Sequence, residues 1–338
     1  MEKQEDGVCS AESVVDGSLD VWSCKNTDSS SANHLVVMVH GILGSTDDWK
    51  FGAEQFVKTL PDKVFVHCKE QKKLSALTLD SVDVMGERLA SEVLEIIQTR
   101  PNIRKISFVA HSLGGLAARY AIGKLYKPPN HEGPSQGTIC GLEAVNFITV
   151  STPHFGSMGN RQVTDVILMG FGICLVIHWI FKRTGRHLFL KDEEEGKPPL
   201  LRRMVEDTGD CHFVYALRAF KRRVVYSNVG HDHIVGWRTA SIRCDSELPK
   251  AFDLLHLWED SLNVKYPHIV YEELCKSCDA EDVPEGEHHL NDIEEKVDVS
   301  FHSSRQRFAA HSVIQVKSET MHIEGADVIE HIINHFHA

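Results

Sequence analysis

Short, uninterrupted apolar runs recur along this chain, and an amphipathic stretch follows most of them. That alternation constrains the fold more than any other feature. The runs are "LVVMV" (35–39), "KVFVHC" (63–68), "KISFVA" (105–110), "AVNFITVS" (144–151), "RVVYSNV" (223–229) and "KVDVSF" (296–301). A strand that is apolar on both faces must be covered on both faces, which is the habit of parallel sheets. The intervening stretches have helical spacing. "DDWKFGAEQFVKTL" is one, with Ser45 or Thr46 in position to cap it, and "GGLAARYAIGKLY" and "GADVIEHIINHF" are others. In "SVDVMGERLASEVLEIIQTR" the spacing puts Val84, Leu89, Val93, Leu94 and Ile97 on one stripe, and Pro101 closes the helix. Strand and helix joined by short links predict βαβ units and an α/β fold, with a mainly parallel sheet covered by helices.

Three segments interrupt the rhythm. Residues 1–32 read as a mobile N-terminal arm, with a short strand at "LDVWS", ahead of a main domain at 33–338. Residues 157–209 hold a long apolar run and then "KDEEEGKPP", and read as a lid insertion. Residues 244–295 are acidic and irregular, and read as a solvated surface insertion. In the lid, the unbroken apolar core from Val166 to Ile177 is 12 residues long. Spanning a bilayer takes about 20 apolar residues, so a mobile cover over Ser112 is expected, with a buried core helix as the alternative, rather than a membrane-crossing helix.

Composition excludes several functions. Thirty-six basic against 48 acidic side chains give a formal charge of −12, which disfavours non-specific binding to nucleic acid. Nine cysteines form no regular framework, and the only C-x-x-C is Cys275–Cys278, so reduced thiols and a cytoplasmic setting are expected. The polar N-terminus lacks the apolar core of a signal peptide and the arginines of a transit peptide.

The stretch "KISFVAHSLGGLAARYAIG" carries the chemistry. A strand ends in Ser112 and a helix follows at once, the setting of a nucleophile elbow, G-x-S-x-G. Ala110 stands where the first glycine belongs. The position demands a small residue because strand and helix close on each other there, and one added methyl group satisfies that demand. A serine hydroxyl is a poor nucleophile without a base and backbone donors for the oxyanion. The amide of Leu113, next to the serine, is one such donor. The loop in "LVVMVHGILGS" offers the second at Ile42, with Leu43 the near alternative.

"HLVVMVHGILGSTDDW", "ISFVAHSLGGLAARYAIGKLY", "ITVSTPHFGS" and "GRHLFLKDEEEGKPPLLRRM" together resemble the lipase-like putative serine esterase family of the α/β-hydrolase superfamily, its plant branch above all. The likeness runs from about residue 33 to the C-terminus. It implies an α/β-hydrolase fold and hydrolysis of carboxylic esters, with lipid acyl esters as the expected substrates, and no metal or organic cofactor. It also implies an acid after a late strand and a histidine near the C-terminus. Asp232 in "NVGHDHIVG" and His311 in "FAAHSVIQV" match those contexts, in the chain order serine, acid, histidine. Asp245 competes for the acid, and His302 and His322 for the base. His331 and His335 share a helical face without completing a metal-ligand set. On the substrate side stand His40 and, in the lid, Phe171, Leu175, Trp179 and Phe181. Beside them Lys182, Arg183 and Arg186 suit anionic head groups at a peripheral membrane or lipid-droplet surface. An acyl thioesterase, or a lipid binder without catalysis, would use the same scaffold.

Overall fold

A computed structural model describes residues 10–13, 20–23, 32–68, 80–129, 136–157, 182–194, 196–207, 211–243, 263–275 and 293–338. Its strands are β1 (Ser10–Ser13), β2 (Asp20–Ser23), β3 (His34–Val39), β4 (Val64–Cys68), β5 (Lys105–His111), β6 (Tyr126–Lys127), β7 (Thr138–Ile139), β8 (Glu143–Val150), β9 (Arg222–Asn228), β10 (Ile269–Leu274) and β11 (Glu295–Val299). Among the described residues, nine of them form one sheet in the order β1-β2-β4-β3-β5-β8-β9-β11-β10, while β6 and β7 pair separately. From β4 across to β11 every pairing is parallel; β2 joins β4, and β10 joins β11, antiparallel. This is the α/β-hydrolase architecture.

The longer helices are α1 (Lys50–Thr59), α2 (Val82–Thr99) and α3 (Leu113–Leu125). Five shorter ones follow, α4 (Lys182–Leu188), α5 (Leu200–Glu206), α6 (Phe213–Arg218), α7 (Trp237–Ser241) and α8 (Ala310–Val313), and α9 (Glu319–His322) and α10 (Ala326–Asn334) close the chain. Alternate residues of each central strand feed opposite cores, because successive side chains point to opposite faces. Leu35, Val37 and Val39 of β3 enter the core under α2 and α3, whereas Val36 and Met38 enter the core under α1 and α10. Every residue of β3 is buried, which accounts for the unbroken apolar run.

Four expectations are corrected. The 1–32 segment is not wholly an arm: β2, the strand expected at "LDVWS", pairs with the otherwise open side of β4, and β1 pairs with β2. The 244–295 segment likewise contains β10, which closes the other edge of the sheet with Ile269 and Val270 buried and Tyr271, Glu272 and Leu274 exposed. In α2 the buried stripe is Val82, Met85, Leu89, Val93 and Ile96; Val84 is half-buried and Leu94 exposed, since a helical face repeats every 3–4 residues and they fall to its side. Neither Ser45 nor Thr46 caps α1: a 3-10 turn over Thr46–Trp49 leads into it, and Ser45 makes no side-chain cap bond.

Candidate active site

The chain turns from β5 into α3 within one residue, and that residue is Ser112, with φ 53° and ψ −131°. A non-glycine side chain rarely adopts this conformation, so the surrounding structure must hold it there. The Ser112 amide donates to the Val150 carbonyl at 2.8 Å, and the Gly115 amide donates to the Ser112 carbonyl at 3.0 Å. Two glycines let the loop after β3 close on the turn. A Cβ on Gly41 would stand 2.9 Å from the Ser112 Cβ, and one on Gly114 would collide with the His40 and Val39 carbonyls. Ala110 has no such neighbour. It is fully buried in the core under α2 and α3, between Val39 and Thr149 in register, so a methyl group fits there.

His311, on α8, lies between Ser112 and Asp232. Its Nε2 is 2.9 Å from Ser112 Oγ and its Nδ1 is 2.9 Å from Asp232 Oδ2. Asp232 follows β9 and is buried. Its Oδ1 accepts the amides of Ile234 and Val235, and its Oδ2 also accepts Asn228 Nδ2 at 3.0 Å. Burial alone would raise its pKa. The facing His311, hydrogen bonds from that ring, from the Val235 amide and from Asn228 outweigh burial and hold the carboxyl down at about 2. An ionised carboxylate only accepts, so His311 Nδ1–H donates to it and Nε2 is left to accept the Ser112 hydroxyl proton. The arrangement is able to polarise Ser112 and to stabilise an imidazolium.

Ile42 and Leu113 flank the turn. Both belong to an apolar cluster with Leu116, Leu200, Leu201 and Met204, while Leu43, at φ 52°, turns its side chain to solvent. His40 does not stand open to a substrate: its ring is buried and its Nδ1 donates to the Gly41 carbonyl at 2.9 Å, bracing the loop. Phe171, Leu175, Trp179, Phe181 and Asp245 lie outside the described residues. Within residues 157–209, where a lid is expected, the described stretch from Lys182 packs onto the rest of the fold. His187 is buried and its Nδ1 accepts the Val82 amide at the start of α2, and Leu188 and Leu190 join the cluster around Ile42 and Leu113.

The competing histidines have other partners. His302 is exposed and hydrogen-bonded to Ser300 Oγ, and His322 accepts the Ser318 amide. His331 meets the Tyr226 hydroxyl and stacks near His335, and among the described residues no cluster able to hold a metal forms.

Sequence reasoning missed two residues. His111 donates Nε2–H to the His311 carbonyl at 2.8 Å. Asn228 bridges Asp232 and Ser151 Oγ with its amide nitrogen. Position next to Ser112 was the only sequence signal for His111; Asn228 ends the strand before Asp232, which is as weak a sign.

The model of the family described as "Putative serine esterase (DUF676)" matches residues 29–246, a span that includes Ser112 and Asp232 and stops short of His311. "Putative lipase ROG1" of Saccharomyces cerevisiae is 31% identical over 231 residues, covering 66% of this chain and 31% of that protein. "Putative lipase C4A8.10" of Schizosaccharomyces pombe is 27% identical over 233 residues, covering 64% and 27%. The chain thus spans about a third of the length of these relatives. Among solved structures, the mature Bacillus licheniformis lipase BlEst2 is 21% identical, with a TM-score of 0.37 over 59% of this chain and 68% of that one.

Proposed function

The chain belongs to the putative serine esterase family, and from that membership we propose that it hydrolyses carboxylic esters, lipid acyl esters above all, through Ser112, His311 and Asp232. One observation carries the reading: a single histidine stands 2.9 Å from both the serine hydroxyl and a buried carboxylate. In the first step Ser112 Oγ attacks the ester carbonyl carbon and its proton passes to His311 Nε2. Asp232 keeps the ring oriented and offsets the imidazolium charge. Amides of Leu113 and Ile42 receive the oxyanion. The C–O bond to the alcohol breaks, and His311 returns the proton to the leaving oxygen. Water then attacks the acyl-enzyme, gives its proton to His311 and releases the acid, and the proton returns to Ser112. No step calls for a metal or organic cofactor.

That the similar yeast proteins are named putative lipases supports an acyl ester rather than a polar substrate. In this reading the enzyme works in the cytoplasm on a peripheral membrane or lipid-droplet surface. Purified protein assayed on matched oxyester and thioester series of rising chain length tests this. Turnover that prefers oxyesters, rises with chain length and disappears in a folded Ser112→Ala variant supports it. A folded wild-type protein inert to the whole series would leave a binding role instead.

A further inference from the structure

Two surface loops beside the site break the acidic character of the chain. The formal charge is −12, yet Ser300 to Ser318 contains no carboxylate. Val229 to Arg243 contains one, Asp232, which is buried against His311. On these loops His233, His302, Arg305 and Arg307 are exposed and His231 half-exposed.

The two loops meet at Phe308. Its ring is edge-on to His231 with centroids 5.6 Å apart, lies parallel to His233 at 6.3 Å, and carries the Arg307 guanidinium 4.9 Å from its centroid. Phe308 is nevertheless 66% exposed, and Ile234 on the facing loop is 56% exposed. A lone exposed apolar side chain needs no explanation. Here Phe308, and Ile234 one residue from His233, belong to two segments that meet at the Phe308 ring, carry five basic or titratable groups and have no exposed carboxylate. Burial lowers the pKa of His231, and Arg307, His233 and His302 lower it further. The surface also adjoins the site: His231 and His233 flank Asp232, and Phe308 precedes His311 by three residues.

We propose that loops 231–234 and 302–308 form a docking surface for an anionic phospholipid membrane, with Arg305 and Arg307 on the head groups and Phe308 and Ile234 in the layer beneath. Charge complementarity selects an anionic partner, and exposed apolar side chains set among basic ones are the pattern that lies in a bilayer interface. The choice of a lipid surface over an acidic protein rests on the ester-hydrolase reading. It differs from docking through the lid, because these loops belong to the strand ends that carry Asp232 and His311.

Sedimentation of the full chain with vesicles of phosphatidylcholine, alone or mixed with phosphatidylglycerol, tests the proposal alongside turnover of a short soluble ester. Wild type should sediment with mixed vesicles and weakly with neutral ones, and salt should release it. Arg305→Glu with Arg307→Glu should cut partitioning into mixed vesicles at least about tenfold, and Phe308→Ser should cut it about threefold or more. Turnover of the soluble ester should stay within about twofold of wild type, since none of the three touches the reacting groups. Absence of wild-type binding to mixed vesicles, or equal binding by the charge-reversed variant, overturns the proposal. Loop-dependent binding by a protein that hydrolyses no ester would leave the docking surface standing and remove the hydrolase reading.

Discussion

His111 donates its Nε2–H to the main-chain carbonyl of His311 across 2.8 Å, and the two rings stand 4.5 Å apart. The residue before Ser112 therefore holds the segment that carries the proposed base. Burial first, and the nearby His311 second, push the His111 pKa well below the usual histidine value, so the ring stays neutral and keeps one N–H to donate. His111→Leu should leave the carbonyl without its donor and let His311 drift. Turnover of a soluble ester should fall roughly 10- to 100-fold with little change in KM. His111→Gln, whose amide nitrogen is able to make the same bond, should recover most of that loss. Wild-type turnover in a folded leucine variant would show that the contact does not position His311.

The elbow makes unequal demands on its two small residues. Ala110 sits in packed core, so Ala110→Gly should cost about 1 kcal/mol of stability through lost burial and added chain entropy, with activity retained. Gly114 faces the His40 and Val39 carbonyls, which have nowhere to retreat. Gly114→Ala should cost roughly 2–3 kcal/mol and displace the loop that carries Ile42, with a large loss of turnover. Denaturant midpoints and initial rates for both variants decide the matter. A Gly114→Ala protein as stable and active as wild type would contradict the geometry.

Acid should weaken the fold well above the carboxylate range, and His34 is one cause. It is buried against Ser107, whose Oγ accepts the Asn146 amide and side-chain nitrogens and so gives its own proton to His34 Nε2 at 2.7 Å. Burial, and then Lys105, lower its pKa from 6.5 to about 3. Between those values the unfolded chain binds a proton that the folded chain refuses. Stability therefore falls as pH drops through that window, by on the order of a few kcal/mol for this group. His34→Gln should be less stable at neutral pH but lose less between about pH 7 and about pH 4.5. Equal losses in urea midpoints for the two proteins would remove His34 from the account.

Much of the fold is legible in the sequence because β3, β5, β8 and β9 lie inside the sheet and are covered on both faces, which leaves unbroken apolar runs. β10 was hidden because its sequence, "IVYEEL", lies on an edge, is buried only at Ile269 and Val270, and reads as part of an acidic loop. β1 and β2 are four residues each and mostly polar, below the length at which a pattern shows. Leu94 misled the reading of α2, since an apolar residue beside a buried stripe cannot be told by type from one on it. Ser112 could be read from strand, serine and helix. Asp232 and His311 came from a likeness of local context, because their meeting joins residues 79 apart in the chain. His111 and Asn228 act through single hydrogen bonds to remote partners, and no periodicity records such a bond.

The central claim is that Ser112 is the nucleophile of a unit with His311 and Asp232. Mass spectrometry of the digested protein after a fluorophosphonate reaction tests it most directly. The adduct should fall on the peptide holding Ser112, and Asp232→Asn and His311→Ala should slow its formation by about 10³-fold or more while the proteins stay folded. An adduct on another residue, or formation at the wild-type rate in both variants, would contradict it.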